Sequence, residues 1–136
     1  MRKVSFSIES WPTKAPFRIT GYTFTEARVL TATITENNST GRGEATGVYY
    51  LDETADSLLA QAETVKQALE QGANREQLRS LLPAGGARNA IDCALWDLEA
   101  KQRGQRIWDL AGITLANTIT VNTVGVDTPE VMAATA

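Results

Sequence analysis

Three neighbouring side chains could perform acid, base or thiol chemistry. Asp92 and Asp97 would be the carboxylates, and Cys93 would be the nucleophile. The two aspartates are five positions apart, which puts them on different sides of a helix. The chain contains no histidine to act as a base for the thiol, and thiol catalysis depends on such a base. We therefore predict structural roles, with Asp97 as a hydrogen-bonding acid and Cys93 as a small core residue.

A short glycine motif, Gly41-x-Gly43-Glu44, is similar to part of a phosphate-binding loop. A complete loop is longer and carries a lysine that reaches the phosphates. Because both features are missing, the two glycines are predicted to serve the exit of a β-hairpin.

Aromatic residues in two glycine-containing segments are candidates for contacting a ligand. Tyr22 and Phe24 fall in a predicted loop at 21–25, and Tyr49 and Tyr50 fall in a second at 46–53. Amphipathic rings give contact area at little cost in entropy, which suits them to line a lid. The alternative is that they fasten their loops or fill an interface. Phe24 and Tyr50 are the preferred candidates for the lid.

Composition narrows the class of protein. The chain has 136 residues, of which 43% are hydrophobic and 21% charged, and its net charge is -3. This profile is that of one ordinary globular domain. No basic patch interleaved with aromatics supports nucleic-acid binding, and no apolar run approaches the roughly 20 residues of a membrane helix. The single cysteine and the lack of a signal peptide favour the cytoplasm.

Periodicity predicts an α+β fold in which a three-stranded antiparallel meander precedes a helical bundle. Alternation of apolar and polar residues predicts the strands, and capping residues and prolines bound the helices. Pro12 and Pro16 are expected to break the first strand, and a short extended piece, 17–20, follows them. The predicted strands are 3–11, 26–36 and 42–46, and the predicted helices are 54–71, a short one capped by Asn74, and 84–103, with a single tight turn at 107–112.

The last residues are typical of the beginning of a β/α repeat. Residues 118–126 alternate as a strand, and Thr128 and Pro129 are suited to open a helix. A strand of this kind needs a parallel neighbour, so a larger α/β domain is expected to follow. We predict two domains, a first at 1–113 and the start of a second at 114–136.

The segment Ala87–Lys101 carries a family resemblance. Alanines, isoleucine and leucines recur at helical spacing, so that small residues allow another backbone to approach closely. Together with the meander, the Gly41–Glu44 motif and the 107–112 turn, this segment resembles the N-terminal capping domain of the enolase superfamily, in its mandelate racemase and muconate lactonizing branch. Residues 82–98, Trp11-Pro12 and Ser80–Pro83 most resemble the dipeptide epimerases of that branch.

The resemblance implies a two-domain isomerase, in which the cap covers the mouth of a TIM-like barrel. In the family, three barrel carboxylates hold Mg²⁺, which stabilises an enolate formed by removing the proton α to a carboxylate. Two lysines exchange that proton, and such epimerases recycle cell-wall peptides. Residues 118–126 would be the first barrel strand, with only part of the following helix present. No catalytic residue and no metal ligand are therefore expected in this chain, which alone should bind no Mg²⁺ tightly and show no turnover.

The resemblance also assigns substrate contacts. Thr123 lies near the end of the presumed first barrel strand, where dipeptide epimerases use a threonine to touch the substrate. Tyr22, Phe24, Tyr49 and Tyr50 fall in the two loops that select it. Glutamate-selective relatives carry an arginine in or near the first loop, but Thr20–Thr25 contains none. We therefore hypothesise a dipeptide with an uncharged or hydrophobic second residue.

Two alternatives remain. One is a sibling activity of the superfamily, such as a muconate lactonizing enzyme or an acylamino acid racemase. The other is a stand-alone binding module derived from the cap. In either enzyme reading the partners are a small-molecule substrate and the chain's own barrel. Without a barrel, the uncovered helix seam and final strand are expected to make the isolated chain self-associate.

Overall fold

A computed structural model of the chain describes residues 1–121 and 123–135. It contains three strands, β1 (Lys3–Ile19), β2 (Tyr22–Glu36) and β3 (Ser39–Thr46), which form a sheet in the order β1-β2-β3. Five helices follow: α1 (Ala55–Glu70), α2 (Arg75–Leu81), α3 (Gly86–Arg103), α4 (Ile107–Leu110) and α5 (Pro129–Thr135). A short 3₁₀ turn, Tyr49–Leu51, precedes α1. The predicted meander followed by helices is confirmed, and no helix in the described ranges is long and apolar enough to cross a membrane.

The chain divides into two compact units. The first comprises Met1–Glu9 and Arg28–Thr114, and the second comprises Ser10–Ala27 and the described residues from Leu115 onward. The first unit holds the core, to which the inward faces of β2, α1, α2 and α3 contribute the largest fully buried side chains. These are Leu30, Ile34, Leu58, Leu69, Leu78, Ile91 and Leu98.

Helix α3 lies directly against β3, where glycine replaces the side chains that would separate them. Gly41 and Gly43 are two positions apart, so both face the helix. A Cβ on Gly41 would meet the carbonyl oxygen of Ala94, and one on Gly43 would meet that of Ala90. The predicted close approach of another backbone to the alanine stripe is confirmed, and the backbone in question is β3.

Side-chain caps begin the first two helices where the sequence predicts them. Thr54 and Ser57 form a reciprocal capping box at α1, and Asn74 and Gln77 form another at α2. Each box satisfies two amides that a helix N-terminus otherwise leaves without partners.

The predicted break in the first strand is wrong. Strand β1 continues through Pro12 and Pro16 because it lies at the edge of the sheet, where one side of the strand has no ladder bond for a proline to remove. The predicted loop at 21–25 is also wrong, since Tyr22 begins β2. Only a tight turn remains, and Gly21 there adopts φ +80, a conformation that glycine reaches without steric cost.

The predicted strand 118–126 is not formed by residues 118–121 and 123–126. A parallel strand is stabilised by hydrogen bonds to neighbouring parallel strands, and the three-stranded sheet that the structure describes, β1-β2-β3, does not include this segment. Cys93 is exposed, which corrects its predicted place in the core. It lies next to Ala94 in sequence, and one residue turns it about 100° around the helix, away from the buried stripe.

A polar junction that periodicity does not reveal joins four elements. Arg2, which immediately precedes β1, donates to the carbonyl oxygen of Leu69 in the last turn of α1 at 3.3 Å and to that of Ala73, just beyond the helix, at 2.8 Å. It also pairs with Glu36 at the end of β2, with Nη2 and Oε2 3.2 Å apart. Gln102 of α3 donates to the same carboxylate oxygen at 3.2 Å. Arg2 therefore ties β1 to α1 and β2, and Glu36 connects them to α3.

Replacing Glu36 with glutamine is expected to lower the free energy of unfolding at pH 7 by about 1 kcal/mol. The hydrogen bond from Arg2, and then that from Gln102, hold the pKa of the Glu36 carboxyl below its usual value of 4.5. A carboxyl with a lowered native pKa contributes stability above its unfolded-state pKa and loses it as the pH falls through its native value. The difference between wild type and E36Q should therefore shrink as the pH drops below about 4.5.

Urea unfolding at pH 7 and pH 3 measures this difference, with the exposed Glu63→Gln as the matched control. A stability difference that is equal at both pH values would refute a charge-dependent role for Glu36.

Candidate functional site

An aromatic cluster occupies the tip of the β1–β2 hairpin. The rings of Phe17 and Phe24 lie 6.5 Å apart and those of Tyr22 and Phe24 lie 6.2 Å apart, each pair in a stacked arrangement. The turn at Gly21 brings these residues together from the two strands. Tyr22 is 47% exposed, so the cluster offers a partly open aromatic surface.

The segment that carries Thr123 runs beside this hairpin tip. The amide of Val126 donates to the carbonyl oxygen of Arg18 at 2.8 Å. The Arg18 guanidinium donates to the Asp127 carboxylate at 3.0 Å. Gly125 also lies against the hairpin, since a Cβ there would be 3.4 Å from the Arg18 amide nitrogen, an ordinary van der Waals contact. Thr123 is exposed and precedes Gly125 by two positions, so the structure places it next to the segment that contacts the hairpin.

The charge at the tip is already balanced. Arg18 is the only charged residue between Phe17 and Thr25, and Asp127 pairs with it. The Arg18 guanidinium therefore has an acid beside it. The surface at the tip is aromatic in character.

The second aromatic pair lies in the other compact unit, on the 3₁₀ turn Tyr49–Leu51. The rings of Tyr49 and Tyr50 meet edge to face, with centroids 5.1 Å apart. Tyr50 is 71% exposed and Leu51 is 65% exposed. The predicted loop is thus an ordered turn that directs two large side chains outward. Of the five predicted substrate contacts, the structure groups Tyr22 with Phe24 and Tyr49 with Tyr50.

One functional candidate that sequence reasoning missed is Glu53. Its carboxylate accepts hydrogen bonds from the amides of Val48 and Gly86, each at 3.1 Å. Gly86 begins α3 and lies 33 positions away. A contact between residues so far apart in sequence cannot be predicted from periodicity. The signal available in the sequence was the presence of Gly47 and Gly85, one beside each of the two residues that Glu53 contacts.

Asp97 of α3 is a hydrogen-bonding acid, as predicted. Its carboxylate accepts from the Arg42 amide at 2.9 Å and from Lys101 at 2.7 Å, which fastens the outer edge of β3 to the helix. Partial desolvation of the sulfur by neighbouring atoms, and then the charge of Asp92, raise the pKa of the Cys93 thiol. A raised pKa keeps the thiol protonated, and the protonated form is a poor nucleophile.

The described residues offer no metal site. In 1–121 and 123–135, no three histidine, cysteine or acidic side chains lie together as metal ligands would.

The family follows from comparison with known proteins. A family profile described as "Mandelate racemase / muconate lactonizing enzyme, N-terminal domain" matches residues 1–112. The chain belongs to this family. It is 46% identical over 134 residues to an L-Ala-D/L-Glu epimerase of Escherichia coli (strain K12), an alignment that covers 98% of this chain and 42% of the relative. The chain therefore spans less than half the length of that enzyme.

Solved structures share the fold. An enolase family member from Agrobacterium tumefaciens with homology to dipeptide epimerases, with bound sodium and L-Ala-L-Glu, matches with a TM-score of 0.92 at 33% identity, over 99% of this chain and 42% of that one. A dipeptide epimerase from Enterococcus faecalis V583, complexed with Mg and L-Leu-L-Tyr, matches with a TM-score of 0.84 at 28% identity, over 98% and 40%. Capping domains of one fold thus accompany enzymes that bind an acidic and an apolar dipeptide.

Proposed function

We propose that this chain is the capping domain of a Mg²⁺-dependent dipeptide epimerase. The observation that carries the proposal is its likeness, over nearly its whole length, to the N-terminal part of an L-Ala-D/L-Glu epimerase. In such an enzyme the metal stabilises the charge that develops when the proton α to a carboxylate is removed and returned. The metal ligands and the residues that move the proton are proposed to lie in a barrel domain, as the resemblance to the family implies.

The role of this chain in that reaction is to select and enclose the dipeptide. Phe24 and Tyr22 at the hairpin tip, and Tyr49 and Tyr50 on the 3₁₀ turn, supply apolar contact area. Thr123 supplies a hydroxyl from the segment that passes the hairpin. Aromatic rings of this kind exclude water from a closed site, which strengthens the electrostatic interactions within it.

The preferred dipeptide is proposed to carry an uncharged or hydrophobic second residue. The tip presents three stacked rings, and its one cation, Arg18, is paired with Asp127. A substrate carboxylate placed here would lose water without gaining an arginine partner, which costs several kcal/mol. The dipeptide L-Leu-L-Tyr bound by the Enterococcus enzyme is an example of the proposed substrate class.

The experiment is a dipeptide panel assayed on the full-length enzyme with Mg²⁺, in D₂O, where exchange of the α-proton is followed by NMR. The panel holds L-Ala constant and varies the second residue through Glu, Gln, Leu, Phe and Tyr. Exchange that is fastest for the apolar members supports both parts of the proposal. Exchange that is fastest for L-Ala-L-Glu supports an epimerase but refutes the apolar preference, and no exchange with any dipeptide refutes the function.

The cytoplasm is the proposed compartment.

We expect the isolated 136-residue chain to show no epimerase activity and to self-associate. Three apolar residues in the segment 115–121 are separated by even numbers of positions, so that they share one face of an extended chain. They are Leu115, Ile119 and Val121, which are 65%, 97% and 88% exposed. An extended segment with one apolar face is a template for pairing with a second copy. Size-exclusion chromatography with light scattering should detect oligomers of the wild-type chain and only monomers of the double variant I119K/V121K. The control is T118K/T120K on the opposite face, and a monomeric wild-type chain would contradict the proposal.

A further inference from the structure

The carboxylate of Glu53 joins two separate parts of the chain, the 3₁₀ turn and the N-terminus of α3. Its Oε2 accepts from the amide of Val48, which immediately precedes the 3₁₀ turn, and its Oε1 accepts from the amide of Gly86, the first residue of α3. Helix α3 is the longest in the described chain and packs on the sheet, so it is a rigid support. The side chain of Glu53 thus connects a turn with exposed aromatic residues to helix α3, which is packed on the sheet.

Two glycines lie against Glu53. A Cβ on Gly85 would lie 2.7 Å from Oε1 of Glu53, so a methyl group there would displace the end of that side chain. A Cβ on Gly47 would lie 2.6 Å from the backbone carbonyl carbon of Glu53, so a larger residue there would force the backbone to shift. The surroundings of Glu53 are fitted to it from two separate segments.

The turn also closes on itself through Glu53. Its amide donates to the Val48 carbonyl at 3.3 Å, while its carboxylate accepts from the Val48 amide at 3.1 Å. Asp52 between them adopts φ +55, a left-handed conformation that non-glycine residues seldom occupy. Such a conformation persists when its surroundings hold it in place. With its backbone satisfied inward, the turn leaves Tyr50 and Leu51 exposed.

We propose that Glu53 is a positioning residue for substrate binding: it fastens the Tyr49–Leu51 turn to the N-terminus of α3, so that Tyr49 and Tyr50 are already in place when a dipeptide binds. This inference rests on the proposed function and adds a residue that touches no substrate itself. A turn that is ordered beforehand loses less entropy on binding. The effect of Glu53 should therefore fall on substrate affinity and leave the chemical step nearly unchanged.

The test uses Glu53→Gln in the full-length enzyme. Glutamine keeps the size of the side chain but has one acceptor oxygen, so it can satisfy only one of the two amides. We expect KM for the best dipeptide to rise about tenfold, the loss typical of a hydrogen bond to a charged group, with kcat changed less than about twofold. Hydrogen exchange in peptides covering 47–53, followed by mass spectrometry, should be faster. The matched control is Glu76→Gln on α2, which should change neither quantity.

A second variant protects the test against a folding defect. Gly85→Ala keeps Glu53 but puts a methyl group where its carboxylate lies, so it should reproduce the rise in KM. Unchanged exchange at 47–53 in E53Q, or faster exchange with unchanged KM in both variants, would overturn the positioning role. An enzyme whose wild type turns over no dipeptide refutes the proposed function, and the positioning role with it. Dipeptide turnover with an unmoved KM refutes only the latter.

Discussion

Gly43→Ala is expected to destabilise the protein by about 3 kcal/mol, at the upper end of the range for overpacked cores. The added Cβ would meet the Ala90 carbonyl oxygen and lie 2.6 Å from the Ala94 amide nitrogen. Both are backbone atoms of α3, so they cannot rotate away as a side chain would. The strand and the helix must separate, and the buried residues between them would lose their contacts. A loss of this size lowers Tm by roughly 10 °C in a domain of this length.

Thermal unfolding followed by circular dichroism measures the effect. Gly104→Ala is the matched control, because its Cβ would meet no atom within 4 Å although its φ is +63. That substitution should cost about 1 kcal/mol through backbone strain alone. A Gly43→Ala protein that melts no lower than the Gly104→Ala protein would show that α3 does not rest on β3.

Phe24→Arg is expected to shift the proposed selectivity of the full-length enzyme from apolar dipeptides toward L-Ala-L-Glu. Phe24 is the central ring of the tip cluster, stacked on both Phe17 and Tyr22. An arginine there would add a second cation to the tip, one that Asp127 does not already neutralise. Arginine binds carboxylates through two parallel hydrogen bonds. The ratio of kcat/KM for L-Ala-L-Glu to that for L-Ala-L-Phe should rise by roughly 100-fold, when the gained ion pair and the lost apolar contact are combined.

Phe24→Leu serves as the control, since it removes the ring without adding a charge. It should weaken binding of aromatic dipeptides and leave L-Ala-L-Glu a poor substrate. If the arginine variant changes the ratio by less than about threefold, the second residue of the dipeptide is not recognised at the hairpin tip.

Local patterns were sufficient for most of the elements. Alternation located the meander, and the repeat of Ala90, Ala94 and Leu98 located the buried face of α3. Thr54 and Asn74 marked the beginnings of their helices because capping involves residues only three positions apart. The errors came where a distant neighbour decides the outcome. Pro12 and Pro16 would break a central strand, and only the order of the sheet shows that β1 is at its edge.

The candidate site divides in the same way. The aromatic residues of both segments and the lack of an arginine between Thr20 and Thr25 could be found in the sequence. The pairing of Arg18 with Asp127 spans 109 positions, and the bond from Gly86 to Glu53 spans 33. No periodic pattern encodes such contacts, because each depends on how separate elements pack.

Residue type and short-range spacing were enough to predict the family, the meander, the helix boundaries and the chemical character of the aromatic segments. Packing between distant elements set the role of the glycines in β3, the exposure of Cys93, the lack of strand structure at 118–121, and the acids that hold the turn and the hairpin. Side-chain spacing along a chain predicts which face of an element is buried. The identity of the backbone, carboxylate or guanidinium that meets that face is set by packing between elements far apart in sequence.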